Sequence, residues 1–156
     1  MRLTQYADYG LRVLMYAGAQ PDRTLPSAEI ARALGVSRNH LLKVVQELCR
    51  QGWLETRRGP SGGVHFLPET ANVTVGEVIR RLEPQLDIVE CFDRDTNTCP
   101  LLVACRLAPL LGRARDAFLA ELDATTVGDL LVRPSDLRRA VSDGGRERAG
   151  KGAARR

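Results

Sequence analysis

The stretch SAEIARALGVSRNHLLKVVQELCRQGWLETRRGPSGGVHFL, residues 27–67, does most to limit how this chain of 156 residues can fold. Ile30, Ala31 and Leu34 recur at helical spacing; the pattern breaks at Gly35 and resumes with Leu41, Val44, Val45 and Leu48. Gly35 supplies a tight turn, Ser27 and Ser37 stand where helix N-caps belong, and Gly52 ends the second helix. WLETRR and VHFL then read as two short strands flanking RGPSGG, a turn rich in Gly and Pro. Two helices this short gain stability only if Ile30, Ala31 and Leu34 pack with Val36, Leu41, Val44, Val45 and Leu48, which fixes their crossing.

A helix over residues 2–19, with Leu3, Ala7, Leu11 and Leu14 at helical spacing, precedes this unit. The order helix, helix–turn–helix, two-stranded ribbon is that of a winged helix-turn-helix. That packing leaves Ser37, Arg38, Asn39 and His40, the first residues of the second helix, free to enter a major groove. Arg suits guanine and Asn suits adenine in bidentate contacts, each worth about 1–3 kcal/mol of discrimination. Lys43 is placed for phosphate, which positions a protein without reading sequence. Arg57 and Arg58 suit a narrow minor groove, and the small residues Gly59, Ser61 and Gly62 at the wing tip permit close backbone approach. A protein-interaction domain is the alternative use of the same helices and hairpin; the polar start of the second helix and the diarginine wing favour DNA. His65, among strand residues, reads as structural, and His40 as a polar contact rather than a catalytic base.

Charge is unevenly spread. Residues 1–67 carry nine Lys/Arg against five Asp/Glu, residues 68–132 six against eleven, and residues 133–156 eight against three. A basic first block fits a polyanion partner, although an ordinary solvated surface would show the same balance. Thr74 with Glu77 forms a capping-box pattern before VGEVIRRLE, which Pro84 closes. Leu107, Leu110, Leu111, Ala114, Phe118 and Leu122 make an apolar stripe on a long helix, with Pro109 tolerable in its first turn. A last short helix is expected over Thr126 to Leu131. From Pro134 onward little can be buried, and a disordered basic tail is expected. The expected divisions are 1–67 for DNA binding, 68–132 for a sensor loop and long helix, and 133–156 for the tail. No Ser/His/Asp set, carboxylate pair or phosphate loop appears, and only two histidines exist, so an enzyme is not expected. A membrane span needs about 18 or more apolar residues, which no stretch provides. Gln5, Asp8 and Arg12 interrupt the apolar start, against a signal peptide, so a cytoplasmic protein is expected.

The remaining feature is CFDRDTNTCPLLVAC, residues 91–105, with cysteines spaced C-x7-C-x5-C. Structural zinc favours close pairs such as C-x2-C, which are lacking. A disulfide would use two of the three and leave one over. Burial in the core is the reading for Cys49, on the back of the second helix. Irregular loop spacing and soft thiolates also suit an iron–sulfur cluster. Three thiolates leave one iron to a different ligand, and such a site suits sensing better than electron carriage. Asp8 is a candidate if a second subunit brings it near, with Asp93 and Asp95 as local rivals.

The stretches MRLTQYADYGLRVLMY, VSRNHLLKVVQELCRQGWLETRRGPSGGV, VECFDRDTNTCPLLVACRL and DAFLAELDATTVGDLL occur in that order. Over roughly residues 1–132 the chain resembles the iron–sulfur winged-helix regulators, and specifically their nitric-oxide-sensing branch. The cluster-assembly branch carries a histidine shortly after its third cysteine, whereas Arg106, Leu107 and Ala108 follow Cys105 here. The resemblance implies a mainly α protein: a winged helix-turn-helix with a two-stranded β wing, then a cysteine loop and a long dimerisation helix from Arg106 to Leu122. It further implies a homodimer on double-stranded operator DNA. One 2Fe–2S or 4Fe–4S cluster per subunit would be held by Cys91, Cys99 and Cys105 with Asp8 of the partner subunit. Nitric oxide would disrupt that cluster and end repression.

Overall fold

The computed structural model describes residues 3–59, 62–83, 85–93, 95–131 and 133–141. Helix α1 (Gln5–Gly18) begins on Thr4, whose hydroxyl accepts the Ala7 amide at 3.2 Å. Helices α2 (Ser27–Leu34) and α3 (Arg38–Arg50) flank the expected turn, where Gly35 adopts φ 66° and so ends α2 in the left-handed region open to glycine. Ser37 caps α3 by accepting the His40 amide at 3.3 Å. Ser27 does not cap α2. It is the first helical residue, and Pro26 occupies the cap position with no side-chain cap bond. The fixed φ of proline is compatible with a helix start, so α2 begins without a hydroxyl cap.

Strands β1 (Leu54–Arg57) and β2 (Gly63–Phe66) pair antiparallel from Leu54 opposite Phe66 to Arg57 opposite Gly63. Leu25, just before α2, adds a bridge to β2: its amide donates to the Val64 carbonyl at 2.8 Å and its carbonyl accepts the Val64 amide at 2.9 Å. The wing is thereby tied to the helix-turn-helix by backbone as well as by packing.

One core runs through this unit and past residue 67. Val13 and Leu14 of α1, Leu41 and Leu48 of α3, and Leu54 and Val64 of the hairpin join Val78 and Leu82 of α4 (Val75–Leu82). Complete burial of such a side chain contributes about 1.5–3 kcal/mol, so these residues carry most of the stabilisation. The expected boundary at 67/68 thus falls between elements that share a core, because the apolar face of α4 lies on α1. Glu83, 9 % exposed, closes the unit by accepting both the amide (2.9 Å) and the hydroxyl (3.1 Å) of Thr4. Thr74 caps α4 by accepting the Glu77 amide at 3.0 Å, as its pattern predicts; Pro84 lies outside the described residues.

Helix α5 (Leu107–Asp123) returns its C-terminal end to α4. Arg80 donates to both carboxylate oxygens of Asp123 at 2.7 and 2.5 Å and holds that carboxyl below its ordinary range. Beyond it the Val127 amide donates to the Val73 carbonyl at 2.8 Å, and a 3-10 turn, Asp129–Leu131, follows. Within one chain α5 buries none of its residues: Leu107 is 57 % and Leu110 53 % exposed. A sixth helix, α6, covers 134–141, where a disordered tail is expected. It is anchored by Arg138, which donates to the Ala19 carbonyl at 2.5 Å. The remainder of the expected tail lies outside the described residues. No described helix is long and apolar enough to cross a membrane.

Candidate DNA interface and cysteine pocket

The start of α3 presents Ser37, Arg38, Asn39 and His40 to solvent, with Lys43 exposed one turn further on. Leu41, Val44, Val45 and Leu48 point the opposite way, into the core, so the helix's amphipathicity fixes which side chains face outward. Between α3 and the wing runs a groove of about 590 Å³, walled by Arg38, Leu42, Gln46, Thr56 and Gly62. Cys49 is half-buried on this wall with its thiol 3.5 Å from the Thr56 hydroxyl, not enclosed in the core as expected. The periodicity of α3 places it at the edge of the buried face, where Thr56 of the hairpin meets it.

Arg57, Arg58 and Gly59 are exposed at the wing; Ser61 lies outside the described residues. Arg57 pairs with Glu55 at 3.2 Å, both half-exposed, a pair of the kind worth at most about 1 kcal/mol and easily exchanged for another anion. Gly59 has φ 119°. A Cβ on Gly62 would stand 2.8 Å from the Gly59 carbonyl oxygen and 2.9 Å from that of Arg57, so the small residue there is required by the hairpin's own turn. His65 faces the Arg23 carbonyl, with Nδ1 at 3.3 Å, a structural contact.

Cys91, Cys99 and Cys105, each half-buried, line one pocket of about 230 Å³ with Val89, Leu101 and Leu111. The loop that brings them together is held by its own polar groups. One oxygen of Glu90 accepts both the amide and the hydroxyl of Thr98 at 2.7 Å, which fixes the residue before Cys91 to the residue before Cys99. These bonds, the Thr98 hydroxyl above all, hold the Glu90 carboxyl below its ordinary range. Asn97 accepts the Cys99 amide at 3.0 Å. Cys105 sits just before α5, its sulfur accepting the Ala108 amide at 3.4 Å. Arg115 of α5 stacks over Phe92 at 4.9 Å and lies 3.8 Å from Asp87, so the loop is also fastened to the long helix.

Soft sulfur donors in a largely apolar pocket fit an iron–sulfur cluster, whose several irons do not require the thiols to converge on one point. Among the described residues no three His, Cys, Asp or Glu side chains converge closely enough for a single metal ion. Asp8 is not brought to this pocket within the chain; it pairs with Arg12 at 2.8 Å on the surface of α1. Asp93 accepts the Thr96 hydroxyl at 2.8 Å and the Asp95 amide at 3.0 Å, bonds that lower its pKa, so it is engaged as a turn residue; Asp95 is exposed. Glu90, on the pocket wall, is the carboxylate that sequence reasoning missed. Its only signal was adjacency to Cys91.

A helix-turn-helix with an attached wing defines a DNA-binding transcriptional regulator. The chain belongs to the Rrf2 family, described as iron-dependent transcriptional regulators, whose pattern it matches over residues 3–133. It is similar to the HTH-type transcriptional regulator NsrR of Shouchella clausii, 44 % identical over 139 residues that make up 88 % of this chain and 93 % of that protein. The NsrR of Bacillus subtilis is 39 % identical over 138 residues, 88 % of this chain and 94 % of that one. Among solved structures, CymR, the global cysteine regulator of B. subtilis, superimposes with TM-score 0.66 at 26 % identity, covering 84 % of this chain and 96 % of that chain. The family is one of regulators rather than enzymes.

Proposed function

We propose that this chain is a cytoplasmic, homodimeric repressor that occupies operator DNA while an iron–sulfur cluster is held by Cys91, Cys99 and Cys105, and that nitric oxide is its signal. The observation that carries this reading is the gathering of three thiols from one short loop around one pocket, beside the helix whose apolar stripe lies exposed. Asp8 of the partner subunit is the fourth ligand in this reading. Its present partner Arg12 is an exposed i,i+4 contact worth about 0.3–0.5 kcal/mol, which a stronger interaction displaces. When bound, the cluster supplies iron, for which nitric oxide is a strong ligand.

The chain's own residues do the rest. Glu90, Thr98 and Arg115 keep the cysteine loop in register; α5 pairs with its counterpart; and two copies of α3 stand about one DNA turn apart, ~34–36 Å, to meet a palindromic site. Ser37, Arg38, Asn39 and His40 read base edges, Lys43 meets phosphate, and Arg57, Arg58, Gly59, Ser61 and Gly62 form the wing contact. Release of the loop's sulfur atoms removes the constraint on subunit spacing. Passing from mostly bound to mostly free requires about 5.5 kcal/mol of differential stability, which loss of several contacts per half-site supplies.

Anaerobic purification tests this directly. A brown protein whose intact mass includes iron and sulfide, and whose operator affinity falls with nitric oxide, is expected; Cys99→Ser should lose both colour and response. A colourless, iron-free protein that binds operator equally well would instead establish regulation by thiols alone, a reading that the four free cysteines also serve.

A further inference from the structure

We infer that α1 belongs to the DNA interface: the pocket between the first turns of α1 and the outer face of α3 seats a backbone phosphate of the operator. This rests on the DNA-binding reading given above and adds to it a contact made by a different helix.

The pocket, about 190 Å³, is lined by Gln5, Tyr6 and Tyr9 of α1 and by His40, Lys43 and Val44 of α3. Tyr6 forms its fixed side. Its hydroxyl donates to the Lys43 carbonyl at 3.2 Å, which clamps the two helices together and uses up that donor. The other polar groups are unspent: the Gln5 amide, the Tyr9 hydroxyl, the His40 ring and the Lys43 ammonium make no hydrogen bond or ion pair among the described residues. Donors predominate in this set, no carboxylate lines the pocket, and Lys43 contributes a full positive charge. A site of that composition selects an anionic oxygen.

Its place in the fold says which anion. His40 and Lys43 are three residues apart, hence neighbours on one side of α3, and they continue the exposed face that begins at Ser37. A duplex engaged by that face passes one strand along the α1 side of the helix. Phosphate contacts of this type set the register and tilt of a recognition helix rather than its base preference. The two tyrosine rings give the site an apolar wall beside its polar groups.

The test uses the full-length dimer with operator and scrambled duplexes over a range of salt. Tyr9→Phe removes one hydroxyl and no charge. It should weaken both duplexes by the same factor, about tenfold for each lost bond to a charged oxygen and so about a hundredfold for the dimer, with the salt dependence unchanged. Lys43→Gln, which removes one such contact from each subunit, should flatten the slope of log affinity against log salt by about 1.8 for the dimer. Combined, the two changes should cost less than the product of their separate effects, because they serve one phosphate. Gln5→Ala provides a second neutral probe, and thermal unfolding checks that each variant is folded. Wild-type affinity in both Tyr9→Phe and Gln5→Ala, or losses confined to the operator, would overturn the assignment. Wild-type protein that binds neither duplex would instead overturn the DNA-binding reading beneath it.

Discussion

Gly63→Ala is expected to damage this protein more than its position in a glycine-rich wing implies. A Cβ there would lie 2.3 Å from the Leu25 carbonyl oxygen, 2.5 Å from its carbon and 2.8 Å from the Pro26 nitrogen, all backbone atoms that no rotamer change can move. Relief requires β2 and the segment before α2 to part by about an ångström, well beyond hydrogen-bond range for the paired Leu25–Val64 amides and carbonyls. Two such bonds contribute about 0.5–1.5 kcal/mol each, and forcing a methyl into packed structure costs a further 1–3 kcal/mol, so a loss of about 2–6 kcal/mol is expected. Urea unfolding should show this as a lowered midpoint with an unchanged slope, and amide exchange should report Leu25 and Val64 deprotected. Gly59→Ala is the control. Among the described residues nothing stands within 4 Å of its Cβ, and its φ is 119°, so it costs about 1–3 kcal/mol of backbone strain but leaves the bridge protected. A Gly63→Ala protein within about 0.5 kcal/mol of wild type, with both amides still slow, would refute the reasoning.

Three further outcomes follow from contacts already described. Arg115→Ala removes a cation–π contact worth about 0.5–1 kcal/mol, so Cys91 in reduced, cluster-free protein should be alkylated about two- to fivefold faster; an unchanged rate would show that Arg115 does not hold the loop. Leu110→Glu should weaken self-association, because covering the exposed half of this side chain on two symmetric copies contributes about 1.5–3 kcal/mol; sedimentation should show a ten- to hundredfold higher dissociation constant. Asp123 has its folded-state pKa depressed by Arg80, so its contribution is present above the ordinary carboxylate pKa and is lost as pH falls through the lower folded value. Asp123→Asn should therefore flatten the acid limb of stability below about pH 4. An identical acid limb in urea titrations would count against the pair.

The helix-turn-helix was legible because its determinants are local. Spacing of Leu41, Val44 and Leu48, the left-handed Gly35 and the Ser37 cap act within a few residues of themselves. Ser27 misled because Pro26, one position earlier, meets the needs of a helix start. What the sequence hid was long-range. Gly62 and Gly63 look alike in the wing, yet Gly62 yields to its own hairpin and Gly63 to Leu25, nearly forty residues earlier. The order at 134–141 depends on Arg138 reaching Ala19, across 119 positions, and composition alone cannot signal that. In the sensor region the three cysteines were visible, but the Glu90–Thr98 tie was not, since a Glu beside one Cys and a Thr beside another become partners only once the loop closes.

The carboxylate of Glu83 acts as a clasp. It joins the residue just after α4 to the residue just before α1, so the segment from Thr4 to Glu83 is a ring with its ends clasped. The sulfur-bearing loop departs from the clasp itself. The bonds of Glu83 therefore tie the residue from which that loop continues in sequence to the start of the first helix, on the side remote in sequence from the wing.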